Sequence, residues 1–176
     1  MQRKTMLMDE TAVKRALARI THELIERNKG ANNICLLGVK TRGVPLAEML
    51  AENVKKFEGV EVPLGYIDIT LHRDDIPKNE KVSGGECHFP CDVTDKTVII
   101  VDDVMYTGRT ARAAIEATFA YGRPKELQLA VLIDRGHREL PIRPDYVGKN
   151  VPTSKEEIVE VSVDKTDNET CVYILQ

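Results

Sequence analysis

One segment constrains the fold more than any other: VIIVDDVMYTGRT, Val98 to Thr110. Four apolar residues run into two aspartates. A small polar turn follows, and then ARAAIEATFA, which has a helical composition. A short apolar run bounded by turn residues reads as a strand buried on both faces. Strands of that kind belong to parallel sheets covered by crossover helices.

The same alternation recurs along the chain. Asp9 is placed to cap a helix running to about Asn28, with Val13, Ala16, Leu17, Ile20 and Leu24 on its apolar face. Asn33–Val39 reads as a buried strand, Lys40–Gly43 as a polar turn, and Pro45–Phe57 as a helix with proline near its first turn. Further strands are expected at Val62–Leu71, Thr97–Val101 and Leu127–Ile133, and a helix from about Gly108 to Tyr121. The loop-rich end holds short strands near Tyr146–Val147, Ile158–Val163 and Val172–Leu175, enough for a small cap. No repeat or linker divides the 176 residues, so one α/β domain is expected.

Composition excludes more than it identifies. The net charge is −3, so nucleic-acid binding would need a local basic patch. No apolar run is long enough for a membrane span, and the N-terminus does not read as a secretory signal. The four cysteines therefore read as reduced thiols in a cytoplasmic protein. Cys87, His88 and Cys91 amount to half a metal site without a second ligand pair, so thiols near a loop are the plainer reading.

Ligands of open α/β sheets bind at the carboxyl ends of the strands. Asp102 and Asp103 sit at such an end, and carboxylates suit vicinal sugar hydroxyls, directly or through Mg²⁺. Thr107, Gly108, Arg109 and Thr110 lie where a helix begins, and its free N–H groups favour a phosphate. Together they describe a site for a 5-phosphoribosyl group. A capped helix after an acidic strand end is the plain alternative. Lys40, Thr41, Arg42 and Gly43 bring two cations and backbone donors to another strand end, which suits a diphosphate or, more simply, a surface turn.

Val98–Thr110 closely resembles the phosphoribosyl pyrophosphate motif of type I phosphoribosyltransferases. ITLHRDD, DRGHRELPIR, VGKNVPTSK and ALARITHELIERNKG extend the likeness over essentially the whole chain. They resemble the bacterial family of pyrimidine-operon attenuation regulators that double as uracil phosphoribosyltransferases. The resemblance implies a type I phosphoribosyltransferase fold, a mainly parallel sheet flanked by helices with a small C-terminal β hood. It implies conversion of uracil and phosphoribosyl pyrophosphate to UMP and pyrophosphate with Mg²⁺, Asp102 and Asp103 holding ribose and metal. His72 and Arg73 would meet the leaving pyrophosphate from a flexible loop at about 72–90, a stretch whose composition also fits a disordered hairpin. Uracil would sit near Asp134, Arg135, Ile158 and Val159.

The resemblance further implies binding of leader mRNA, strengthened by UMP or UTP, and a homodimer or larger assembly. Arg19, His22, His137, Arg138, Arg143 and Lys149 match the RNA surface. Arg15, Arg19 and His22 share one helical face opposite the apolar stripe, which on composition alone reads as solvated surface. A metabolic phosphoribosyltransferase for uracil or a purine, with no RNA role, is the alternative.

Overall fold

The structure, a computed structural model, describes residues 3–75 and 84–176; the central part of the expected loop, 76–83, lies outside the described residues. In chain order the elements are β1 (Arg3–Met8), α1 (Glu10–Arg27), β2 (Ile34–Val39), α2 (Gly43–Glu58), β3 (Leu64–Ile67), β4 (Thr97–Met105) and α3 (Arg109–Tyr121). β5 (Glu126–Asp134), β6 (Tyr146–Asn150), β7 (Ile158–Ser162), α4 (Asp164–Asp167) and β8 (Cys171–Leu175) follow. Five strands form a parallel sheet in the order β3-β2-β4-β5-β6. Three form an antiparallel hood in the order β1-β8-β7. Among the described residues no helix is long and apolar enough to cross a membrane.

Period-two burial explains the layering. In β4, Ile99 and Val101 face a core shared with α1, α2 and the hood, while Val98 and Ile100 face the α3 side. Asp9 Oδ1 accepts from Ala12 N at 2.8 Å, so the expected N-cap is made and contributes about 1 kcal/mol. Leu17, Ile20 and Leu24 of α1 are fully buried, each stabilising the fold by about 1.5–3 kcal/mol. At the end of α1, Asn28 and Gln128 exchange two amide hydrogen bonds of 3.0 Å, and the buried Tyr146 Oη donates to Gln128 Oε1 at 2.6 Å. This polar cluster fixes α1 over β5 and β6.

Four sequence expectations change. β1 was not expected: its residues are largely exposed and show no alternation, and pairing with β8 alone makes it a strand. β3 is far shorter than Val62–Leu71, because Asp68 Oδ1 accepts from Thr70 N at 3.0 Å and turns the chain into a 3-10 turn at Thr70–His72. Tyr146–Val147 belongs to the main sheet rather than the hood. The short helix α4 lies between the two C-terminal hood strands. Cys87, His88 and Cys91 have separate surroundings. Cys87 Sγ lies 3.7 Å from Asp68 O, the His88 ring lies 5.7 Å from that of Tyr66, and Cys91 packs with the buried Cys35 in the α3-side core.

Because β1 closes one edge of the hood, removing residues 1–8 should leave β8 unpaired on that side. Amide exchange at Cys171–Leu175 is expected to accelerate by at least about tenfold while β4 and β5 stay protected. Unchanged exchange there would show that the hood stands without its N-terminal strand.

Candidate active site and adjoining basic surface

Two strand ends meet at the centre of the sheet. Gly43, closing the Lys40–Gly43 turn, lies so close to β4 that an added Cβ would stand 2.3 Å from Val101 O and 3.3 Å from Asp102 Cα. A side chain there would force the turns apart, so glycine is required by proximity. The Lys40 ammonium lies 4.3 Å over the Tyr66 ring, and the Lys40–Thr41 peptide is cis. Arg42 donates through Nε and Nη2 to Asp167 at 3.2 and 3.1 Å. That pairing holds the Asp167 carboxyl below its usual range. Asp167 belongs to α4, so the hood reaches down onto this turn.

Asp102 Oδ1 accepts from Asp103 N at 2.9 Å, and Asp103 Oδ1 from Val104 N at 2.8 Å. Burial first, and the adjacent Asp103 charge second, push the Asp102 carboxyl well above its usual range. The turn beyond them enters α3 through Gly108 at φ +97°, a left-handed conformation that favours glycine. The first N–H groups of α3 have no intrahelical partner and form an anion-binding end. The Arg109 side chain is turned to carboxylates, to Glu139 at 2.9 Å and Asp74 at 2.5 Å, so its backbone is what the turn offers.

The base of the expected loop lies against α3. Arg112 Nη2 donates to His72 O at 2.6 Å, and His72 Nδ1 is 3.8 Å from Glu116. Arg73 Nε donates to Asp75 at 2.8 Å, and Arg73 lines a cavity of about 220 Å³ with Asp74, Arg109 and Thr110. These contacts bring Arg73 beside the Thr107–Thr110 turn; the His72 ring faces the flank of α3.

The expected base-reading residues are mostly engaged with protein. Asp134 accepts from Gly136 N at 3.0 Å and from the Arg138 guanidinium. Arg135 is buried and donates to Thr153 Oγ1, Ser154 O and Glu157 O at 3.0, 2.9 and 2.6 Å. Val159 belongs to the hood core, whereas Ile158 is 38% exposed. Sequence reasoning missed Tyr106, whose ring stacks over the Arg135 guanidinium at 4.2 Å and remains 36% exposed. An aromatic residue directly before the Thr107–Thr110 turn was the available signal. Asp167 carried no signal, since only folding brings it to Arg42.

Of the expected RNA-facing residues, Arg19 and Lys149 come together in one groove and His137, Arg138 and Arg143 in another, within one subunit. Arg19 Nη2 donates to Val147 O and Gly148 O at 3.0 and 2.6 Å, and Lys149 Nζ to Leu7 O at 3.2 Å. Arg15, Arg19 and Lys149 line a groove of about 410 Å³. Across β6, Arg143, His137 and Asn150 line another of about 610 Å³. His22 stacks on Phe57 of α2, with ring centroids 4.3 Å apart, away from the β6 side of α1 where Arg19 is anchored.

The carboxyl pair yields a prediction with a definite sign. A raised folded-state pKa means that stability falls as pH rises from the ordinary carboxylate range, about 4, through the folded value. Asp102→Asn keeps an acceptor for Asp103 N and removes the buried charge. It should raise Tm at neutral pH by on the order of 2–4 °C, with the gain vanishing below about pH 4. Thermal melts across pH test this; a lower Tm at pH 7 would overturn the electrostatic account.

Residues 4–166 match the family model for the phosphoribosyl transferase domain. The bifunctional protein PyrR of Acetivibrio thermocellus is 57% identical over 174 residues, covering 97% of this chain and 94% of that protein. That of Bacillus subtilis is 55% identical over 181 residues, covering 100% and 99%. Hypoxanthine phosphoribosyltransferase from Trypanosoma cruzi, in complex with IMP, superposes with a TM-score of 0.75 at 21% identity over 99% of this chain and 91% of that one. At that identity the likeness speaks for the fold. The chain belongs to the phosphoribosyl transferase family and, within it, to the bifunctional PyrR proteins.

Proposed function

We propose that this protein regulates a pyrimidine biosynthetic operon by uridine-nucleotide-dependent binding to its leader mRNA, and that it also converts uracil and phosphoribosyl pyrophosphate to UMP and pyrophosphate. One observation supports this reading: the carboxylates and helix-start turn after β4 and the grooves lined by His137, Arg143 and Lys149 lie along neighbouring strands of the same parallel sheet.

In the transferase reaction a bond forms between uracil N1 and C1′ of the ribose, the bond from C1′ to pyrophosphate breaks, and the N1 proton is lost. The turn at Thr107–Thr110 holds the 5-phosphate through backbone N–H groups and hydroxyls. Asp102 and Asp103 hold the ribose hydroxyls. Lys40 and the Lys40–Gly43 backbone receive the departing diphosphate, with Arg42 turning from Asp167 to assist, and Arg73 approaches from the loop side. Preorganised charge of this kind stabilises a leaving group without a strong base. The exposed Tyr106 ring gives uracil a flat apolar neighbour, and Ile158 of the hood faces solvent nearby in sequence to the Arg135-bound segment.

The donor set fits Mg²⁺. Two adjacent carboxylates, one with its charge disfavoured by burial, would be relieved by a hard divalent cation that takes oxygen ligands. Mg²⁺ would be held by Asp102 and Asp103, neutralising charge on the diphosphate.

On the RNA side, Arg15, Arg19, Arg143 and Lys149 suit phosphates, while His22 and His137 offer planes on which unpaired bases stack. The test is filter binding to the operon's own leader RNA, with and without UMP, over a salt series, beside assays with uracil and hypoxanthine. Tight binding strengthened by UMP, together with UMP synthesis, is the expected result. Binding no better than to an unrelated RNA would remove the regulatory role, and turnover of hypoxanthine in preference to uracil would remove the substrate assignment.

A further inference from the structure

The segment that carries His137 and Arg143 is laced to the phosphate turn at three successive carbonyls. Met105 O accepts from Arg135 N at 3.0 Å, and Thr107 O accepts from Glu139 N and Leu140 N at 2.9 and 3.1 Å. Between them, Tyr106 O accepts from Arg138 Nη1 at 2.9 Å. The other arms of the same guanidinium bind Ile142 O, at 2.9 Å through Nε, and the Asp134 carboxylate. Arg138 thus joins three elements: the phosphate turn, the end of β5, and the residue just before Arg143. It is the side-chain tie among these three carbonyl contacts, and substitution can cut it; the more exposed Arg109–Glu139 pair, at 2.9 Å, is a second side-chain link between the same segments.

The chemistry of the peptide group makes this tie directional. Tyr106 C=O and Thr107 N–H belong to one planar peptide unit. A phosphate that takes the Thr107 N–H fixes that plane and aims the Tyr106 carbonyl towards Arg138. In the next unit Thr107 O is held by Glu139 and Leu140, so planarity points Gly108 N–H away from that segment. A hydrogen bond on one side of a peptide strengthens the acceptor on the other.

We infer that Arg138 is a positioning residue that couples nucleotide phosphate at the Thr107–Thr110 turn to the RNA-facing segment 137–143, rather than a direct RNA contact. This rests on the proposed regulatory function and assigns its internal link. An Arg in this place is required for its planar fork, which a point charge does not replace.

The experiment compares Arg138→Gln, Arg138→Lys and Arg143→Gln in the full chain, after melts establish that each folds. Leader-RNA affinity is measured with and without UMP, and KM for phosphoribosyl pyrophosphate is measured alongside. Both Arg138 variants should bring the ratio of affinities with and without UMP close to one and raise KM by about tenfold. Arg143→Gln should lower affinity by the same factor in both conditions and keep the ratio. By reciprocity, RNA should no longer tighten UMP binding to the Arg138 variants. The inference is overturned if Arg138→Lys restores RNA binding with the wild-type ratio, since charge alone would then suffice. If wild-type protein binds leader RNA no better than unrelated RNA, the regulatory reading fails. KM then decides whether Arg138 positions the turn: an unchanged value rejects that role, and a tenfold rise supports it.

Discussion

The site depends on one close approach. Gly43 stands against Val101 O with no room for a Cβ. Parallel pairing of β2 with β4 brings two strand ends level, and the bare glycine backbone lets their turns lie side by side. Cations and backbone donors come from one turn, carboxylates and the free N–H groups of a helix start from the other. The proposed ligand, with a diphosphate, a sugar and a terminal phosphate, would need these groups within its own length, and sheet register sets two strand ends level.

Electrostatics then divide the site into a part that works against local stability, the carboxylate pair, and a part that is already satisfied, Arg42. Asp102 and Asp103 carry like charges at a partly desolvated strand end, and Arg42 is held by Asp167. The carboxylate pair is left with repulsion that a cation would relieve, whereas Arg42 is already satisfied by Asp167 and would have to exchange that pairing for an anionic ligand. Binding groups poised as the carboxylates are commonly cost the folded state some stability. The hood takes part directly, since Asp167 fixes Arg42 and the carbonyls of Ser154 and Glu157 hold Arg135 under Tyr106.

The fold was legible wherever burial is expressed as period. The α1 stripe, the apolar runs of β2, β4 and β5, and the Gly108 entry to α3 all carry their structure locally. Elements whose structure is conferred by a distant partner were not legible. β1 is a strand because β8 lies beside it, and β6 joins the main sheet through β5. β3 stops at Ile67 because the Asp68 carboxylate takes Thr70 N–H. The candidate site divides the same way. Asp102, Asp103 and Thr107–Thr110 are contiguous and readable, whereas the Arg42–Asp167 pair spans the chain and Arg138 shows its attachment to Tyr106 only in three dimensions.

The sequence by itself determined the alternating α/β order, the acidic strand end with its phosphate turn, and membership of a family whose motifs cover the chain. These follow from hydrophobic period, glycine placement and contiguous chemistry, all local properties. Tertiary structure alone decided which basic residues are free and which are engaged. Arg138 and Arg135, two cations in one short loop, are taken up by backbone carbonyls and neighbouring side chains, while Arg143 lines the cavity beside them. Charge is written in the sequence, but the partner that satisfies it is set by distance after folding.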